Sequence, residues 1–409
     1  MTLTLLDGDF QRLKMRTYQS LILLLLSYVV CILGGVAIFL ATQETESTLA
    51  LDTGEIAIGQ QTEEVSVTPT ETLKERKVTI AATGDILIHG PVARHAKSLV
   101  PGETNYDFDP MFRSVTPTLQ AADLAICHLE VPLSATNTDI RSYPTFRSPY
   151  QLAETISSSG YDSCSLASNH SLDAGSDGVV NTLNALEKAG VDTAGTAAND
   201  SDITYAMFEV NGVKVAQLSY SYGFNGFDPS RYSAKVNQTD IDAILAEANT
   251  VRELGAEIIV LSMHWGNEYI TEPTAIQKSL ANELTLSPNI DLIIGHHAHV
   301  VQPLEMINGK LVIYGLGNFL SNQSTRSCNT CPVASQDGVI LNVTMKETVN
   351  GFVAEDVSAV PTFVDQGKTW EIFLAEQPND VDEVFAAKSE DRTLAALSSR
   401  GFNLGTNKK

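Results

Sequence analysis

Five times along this chain a short apolar run stops at a residue able to bind a metal or carry a proton, and that repetition limits its folds more than any other feature. Val78-Thr79-Ile80-Ala81-Ala82 runs into Gly84-Asp85, Leu124-Ala125-Ile126-Cys127 into His128 and Glu130, and Ser165-Leu166-Ala167 into Asn169-His170. Ile258-Ile259-Val260-Leu261 leads to His264, and Leu292-Ile293-Ile294 to Gly295-His296-His297-Ala298-His299. Runs of this length and β-branched content are buried strands. In open α/β sheets ligands gather beyond the carboxyl ends of the strands, so motifs placed there converge on one site. Amphipathic patterns between the runs, Gly178 to Ala189 stopped by Gly190 and Asp240 to Leu254 stopped by Gly255, predict helices. Alternating strand and helix makes this an α/β chain. Hairpins across Tyr205 to Tyr220, turning at Asn211-Gly212, and at Asn308-Gly309 predict antiparallel pieces and hence a mixed sheet or sandwich, which Val339 to Met345 and Phe352 to Phe363 extend.

The last of the five motifs is the densest. In an extended segment successive side chains alternate, which puts His297 and His299 on one face and His296 on the other. Three imidazoles make a poor core element, because each ring nitrogen needs a buried partner, and a good floor for a metal. Asp85, Glu130, Asn169, His264, His297 and His299 together offer the mixed oxygen and nitrogen donors of a site for one or two divalent transition ions. Manganese, iron or zinc suits such a set better than calcium or magnesium. Two-metal sites of this kind activate a water for displacement at phosphorus. His170 is placed to protonate a leaving group, with Asp173 as its orienting partner. Taken singly, each residue has a plainer explanation: Gly84-Asp85 as a turn, Glu130 as a surface carboxylate, Ser168-Asn169-His170 as the cap of the next helix, Trp265 as wall. His89, His95 and His128 read as ordinary histidines.

The chain is 409 residues long and 43% hydrophobic, enough for one large or two ordinary domains. Its net charge of -23 excludes a nucleic-acid binder, which needs clustered Lys and Arg. Residues Leu21 to Ala41 carry no charge, and at about 1.5 Å per residue such a helix spans a bilayer core of roughly 30 Å. Arg12, Lys14 and Arg16 precede the run and Glu44, Glu46 and Asp52 follow it, so the positive-inside rule keeps residues 1–20 in the cytoplasm and places the rest outside. A cleavable signal peptide is the competing reading; the length of the run favours an uncleaved anchor at the cell membrane. Residues 42–76 form an acidic linker, 77–370 the folded domain and 371–409 a polar, partly helical tail. Among five cysteines only Cys328 and Cys331 are close in sequence. They read as a small-loop disulfide or two free thiols, and the outward placement favours the disulfide.

The motifs occur in order as Gly84-Asp85-Ile86-Leu87, His128-Leu129-Glu130, Phe146-Arg147-Ser148-Pro149, Ser168-Asn169-His170-Ser171-Leu172-Asp173, His264-Trp265-Gly266-Asn267-Glu268-Tyr269, His296-His297-Ala298-His299-Val300-Val301-Gln302-Pro303 and Tyr314-Gly315-Leu316-Gly317-Asn318-Phe319. As an ordered set over Lys77 to Met345 they resemble the CapA family, the capsule or poly-γ-glutamate synthesis proteins built on a calcineurin-like metallophosphoesterase fold. That resemblance implies a two-layer β-sandwich flanked by helices, with Asp85, Glu130, Asn169, His264, His297 and His299 at the metal positions and His170 beside them. It departs from two-metal phosphatases at Leu87, where they place a histidine, so one metal position is weakened. His128 stands where the family often has Asn, and Ala298 where it often has Pro. Arg147 is either a contact for an anionic substrate or half of a structural salt bridge. The function implied is that of a membrane-anchored accessory subunit in synthesis or export of poly-γ-glutamate or another anionic polymer. No Gly-x-x-x-x-Gly-Lys motif is present, so the ATP-dependent amide ligase and a polytopic subunit belong to partners. The alternatives are an independent extracytoplasmic phosphoesterase and a metal-stabilised binding domain without turnover.

Overall fold

The computed structural model describes residues 75–377 and 382–404. The expected membrane span 21–41, the cytoplasmic residues 1–20, nearly all of the linker and the last five residues lie outside that range. No helix among the described residues is long and apolar enough to cross a membrane.

The strand-forming runs assemble into two sheets. In the first, β1 (Lys77–Ile86), β2 (Leu124–Leu129), β3 (Ser163–Ser165) and β4 (Asp192–Ala194) lie parallel and adjacent. The antiparallel β14 (Asp337–Thr348), β15 (Gly351–Val364) and β16 (Ile372–Leu374) continue it from the other edge of β1, and the short β13 (Asn318–Leu320) pairs with the end of β1. In the second, β7 (Val213–Ser221), β9 (Ile258–His264), β10 (Leu292–His296) and β12 (Lys310–Ile313) are parallel. Its edges are the hairpin strands β6 (Ala206–Val210) and β11 (Leu304–Ile307). Both expected hairpins form, with Asn211 and Asn308 in the left-handed region that a tight two-residue turn requires. A two-stranded ribbon joins β5 (Thr196–Ala197) to β8 (Lys235–Val236).

Strict alternation along the strands builds the layers. Val78, Ile80 and Ala82 of β1, Val213 and Val215 of β7, Ile258 and Val260 of β9, and Leu292 and Ile294 of β10 meet in one core between the sheets. The intervening residues Ile259, Leu261, Met263 and Ile293 face outward onto helices Ile241–Glu253 and Ala275–Leu286. On the far side of the first sheet, helices Gly90–Ser98 and Gln151–Ser158 cover Ala81, Ala125 and Cys127. The result is helix, sheet, sheet, helix, the sandwich that the order of motifs implies. The central strands β2, β9 and β10 are buried on both faces and read as continuous apolar runs, whereas β6, β11 and much of β15 are partly exposed.

The helix expected from Gly178 begins three residues earlier and spans Gly175–Ala189, ending on Gly190 at φ 77°. Its N-cap is Ala174, which makes no side-chain cap, so Ser168-Asn169-His170 does not cap it. Beyond residue 370, β16 joins the first sheet and helix Glu383–Ser398 packs Leu397 into the inter-sheet core. Arg392 of that helix pairs with the buried Asp337 at the start of β14.

Candidate metal centre

Register sets the site. In the first sheet Asp85 lies beside His128 and His128 beside Ser165; in the second, Ser221 lies beside His264 and His264 beside His296. These are the carboxyl ends of parallel strands in two facing sheets, so their side chains share one cleft. Close backbone approach requires glycine at two of the ends. A Cβ on Gly84 would lie 2.0 Å from the Gly317 carbonyl oxygen, and one on Gly295 2.0 Å from that of Tyr314.

All six residues expected to hold metal come together there, each no more than 4% exposed. His264 Nε2 stands 3.0 Å from Asn169 Oδ1 and 3.9 Å from Glu130 Oε1, and His299 Nε2 stands 3.7 Å from the same Glu130 oxygen. Donors on Glu130, His297 and His299 lie within 4.8 Å of one another, and so do donors on Asp85, His128 and His296. Neither oxygen of Glu130 has a hydrogen-bond partner in the protein, nor do Asp85 Oδ1, His297 Nδ1 or either ring nitrogen of His296. Buried polar atoms are normally paired. Donors on a shared ion with bonds of about 2.0 to 2.2 Å lie some 3 to 4 Å apart, which is the spacing found around Glu130. The residues present therefore fit a divalent cation.

Electrostatics follow from burial. Desolvation drives the Glu130 carboxyl well above the ordinary carboxylate range, against the pull of His299. It also drives His264 and His128 well below the usual imidazole value and His297 down to about 3, with neighbouring imidazoles adding to the effect. Burial opposes charge on Asp85 as well, but His296 and His299 outweigh it and hold the carboxylate ionised. His299 is pushed down by burial and more than recovered by Glu130 and Asp85, to about 9. His264, His128 and His297 as neutral imidazoles and Asp85 as a carboxylate are already in the forms that bind metal, whereas an ion would have to displace a proton from Glu130 and from His299.

Two expectations about the histidines need correction. The strand stops at His296, and His297 and His299 take left-handed backbone, φ 85° and 54°. Strand alternation therefore does not set their directions, and His296 does not turn away from the site: its ring stacks on His128 at 4.0 Å with Nδ1 3.4 Å from Asp85 Oδ1. Nor is His128 an ordinary histidine. Its Nδ1 meets Ser165 Oγ at 2.8 Å and its Nε2 meets His264 Nδ1 at 2.9 Å, which fixes the His264 ring. Asn318 performs a similar task for His299, with Oδ1 3.1 Å from Nδ1.

His170 lies at the edge of the cleft with Nδ1 2.7 Å from Asp173 Oδ2, an oxygen that also accepts from the Phe146 backbone N–H. Arg147 is engaged by Asp139 and the Ala174 carbonyl, the salt-bridge alternative of the two. His89 sits at the N-cap position of helix Gly90–Ser98 without a capping side-chain bond, its ring edge-on to Phe146, and Trp265 is wall, its Nε1 donating to the Tyr314 carbonyl. The sequence reading missed Tyr222, whose ring covers His297 at 4.7 Å. The strand-end rule reaches it, since Tyr222 directly follows β7.

Cys328 and Cys331 are bonded, as expected for a small loop. A second disulfide joins Cys127 to Cys164 across β2 and β3, immediately before the His128 and Ser165 pair. Separated by 37 positions, that pair is invisible to spacing along the sequence.

Among curated proteins the chain is similar to the capsule biosynthesis protein CapA of Bacillus anthracis, 27% identical over 83% of this chain and 79% of that one. It is also similar to the PGA biosynthesis protein CapA of Bacillus subtilis, 28% identical over 53% and 57% of the two chains. Among solved structures the calcineurin-like phosphoesterase YfkN of Bacillus subtilis is a distant likeness, 13% identical with a TM-score of 0.44, covering 78% of this chain and 97% of that one. The model of the bacterial capsule synthesis protein family PGA_cap matches residues 79–323, which take in all five strand-end motifs, and the chain belongs to that family.

Proposed function

We infer that this chain is an accessory protein in the synthesis or export of a capsule polymer of the poly-γ-glutamate kind, held at the cell membrane by residues 21–41, with its body outside the cell. Family membership and the two CapA relatives support the polymer role. The uncharged run and its flanking charges support the anchor, and two disulfides suit an oxidising compartment. The amide-ligase and polytopic subunits are its proposed partners. Residues 42–76 are the tether.

The body is proposed to carry one or two manganese, iron or zinc ions on Asp85, Glu130, Asn169, His264, His297 and His299. One observation carries this: a fully buried carboxylate, Glu130, without a hydrogen bond and ringed by imidazoles. A divalent ion there supplies Lewis acidity and a bound water of lowered pKa. Around it the protein's own groups orient and exclude. His128 and Asn318 fix two imidazoles, Tyr222 covers a third, and Asp173 holds His170 so that its Nε2 is left to carry a proton.

That last pairing favours a second reading, a hydrolase acting on a phosphoester or related bond. Metal analysis of the purified chain, followed by assay on generic phosphoesters, tests both. Bound transition metal at one or two per chain is expected, and its absence after growth with manganese, iron and zinc would end the metal reading. Turnover lost about 10²-fold or more in His170→Ala supports the hydrolase; metal without turnover leaves the accessory role alone.

A further inference from the structure

Linked to the metal cleft through Arg141 and Asp173 is a cavity of about 330 Å3 whose lining contains Arg94, Lys97 and Arg141 and no carboxylate. In a chain with 49 acidic and 26 basic residues, three cations around one hollow with no acid among its walls is a strong local reversal of charge. Neighbouring Arg147 is neutralised by Asp139, whereas these three form no ion pair among the described residues. Arg141 reaches only the Asp173 carbonyl at 3.4 Å, and Lys97 lies over the Tyr106 ring at 5.9 Å. Arg94 folds back toward Gly90, at the N-terminal turn of helix Gly90–Ser98. Ser148, 1% exposed, lines the same cavity with a hydroxyl that has no partner in the protein.

These features ask for an anion with a particular shape. Two guanidinium groups match the fork of a carboxylate, and the helix terminus adds to the field. Ile88, Ala93, Ile140 and Pro149 supply an apolar wall, for which a bare inorganic ion has no use and the aliphatic stem of an acidic unit does. Continuity with the cleft runs through two hydrogen bonds: Arg141 reaches the Asp173 carbonyl, and the Asp173 carboxylate holds His170.

We propose that this cavity is a carboxylate-binding subsite that grips one acidic unit of a polycarboxylate chain while the neighbouring stretch of that chain crosses the metal cleft. It deepens the proposed polymer role and rests on that reading for the identity of the chain alone.

Isothermal titration of the full-length protein with a short γ-linked glutamate oligomer, its neutral glutamine counterpart and inorganic phosphate tests this. Arg94 and Lys97 are exposed, so Arg94→Gln/Lys97→Gln leaves the fold and the metal content unchanged. Glutamate oligomer is expected to bind, glutamine oligomer not, and the double variant to weaken binding by about tenfold per cation removed. Ser148→Ala should weaken it by a smaller factor. Equal affinity in wild type and double variant, no binding to wild type, or phosphate competing as well as the oligomer would each overturn the subsite. Metal content is measured on the same samples. Oligomer binding that depends on Arg94 and Lys97 in a protein without metal would refute the metal centre and leave the subsite standing, and intact metal with oligomer binding unchanged in the double variant would do the reverse.

Discussion

The cleft contains two buried carboxylates, Asp85 and Glu130, that the protein treats differently. Asp85 has a bond of its own: Oδ2 accepts from the His297 backbone N–H at 3.3 Å and stands 2.9 Å from His299 Nδ1, although Oδ1 and both ring nitrogens of the adjacent His296 have no partner; His128 beside it is held between Ser165 and His264. Glu130 accepts no bond on either oxygen, although His264 and His299 are within 4 Å. A buried carboxylate paired on one oxygen costs the fold less than one paired on neither, which weakens it until something binds. The Glu130 side is therefore where a first ion gains most, and a second ion at Asp85 must displace contacts already formed.

Substitutions with opposite signs would break or sharpen this contrast. In chelator-treated protein Asp85→Asn removes one partner of a buried ion pair and should destabilise by about 3–5 kcal/mol. The effect should shrink toward zero as pH falls through the Asp85 pKa: a depressed folded-state pKa contributes stability above the unfolded carboxylate value that is lost on acidification. Glu130→Leu under the same conditions should stabilise by about 1–3 kcal/mol, because it replaces an unpartnered buried carboxyl with apolar volume. The same variant should lose the tightly held ion. Urea melts with and without chelator measure both, and a Glu130→Leu protein as unstable as Asp85→Asn would show that the two carboxylates do not differ.

How much of this is legible in sequence divides along the same line. The layers are, because a strand buried on both faces must be apolar at every position, and Ile258 to Leu261 or Leu292 to Ile294 can be little else. Both hairpin turns are, since Asn-Gly supplies the left-handed backbone they need. The residues at the strand ends are also legible, as positions at which apolar runs stop. Directions are not. His296 and His128 enter the site because His297 and His299 leave the strand in left-handed conformations and because β2 and β9, 136 positions apart at His128 and His264, are brought face to face. Neither fact has a local signature. The Cys127–Cys164 bond is hidden for the same reason, since only the register of β2 on β3 reveals it.

His128 gives the smallest and most discriminating test of the contrast between the two carboxylates, because it lies with Asp85 and His296 by position and serves the Glu130 side by its hydrogen bond to His264. Its Nε2 orients His264, a residue on the Glu130 side, and outer groups of this kind typically change metal affinity by about 10- to 100-fold. Since Ser165 and the stacked His296 ring hold the His128 position on either side, Phe can replace it with little movement, and His128→Phe should fall at the low end, about tenfold. Metal titration of that variant is expected to show the first ion weakened and its stoichiometry unchanged. Loss of one whole equivalent, with the remaining ion bound as tightly as before, would instead make His128 a ligand of the Asp85 cluster. The protein's own hydrogen bonds there would then yield to an ion more readily than their geometry implies.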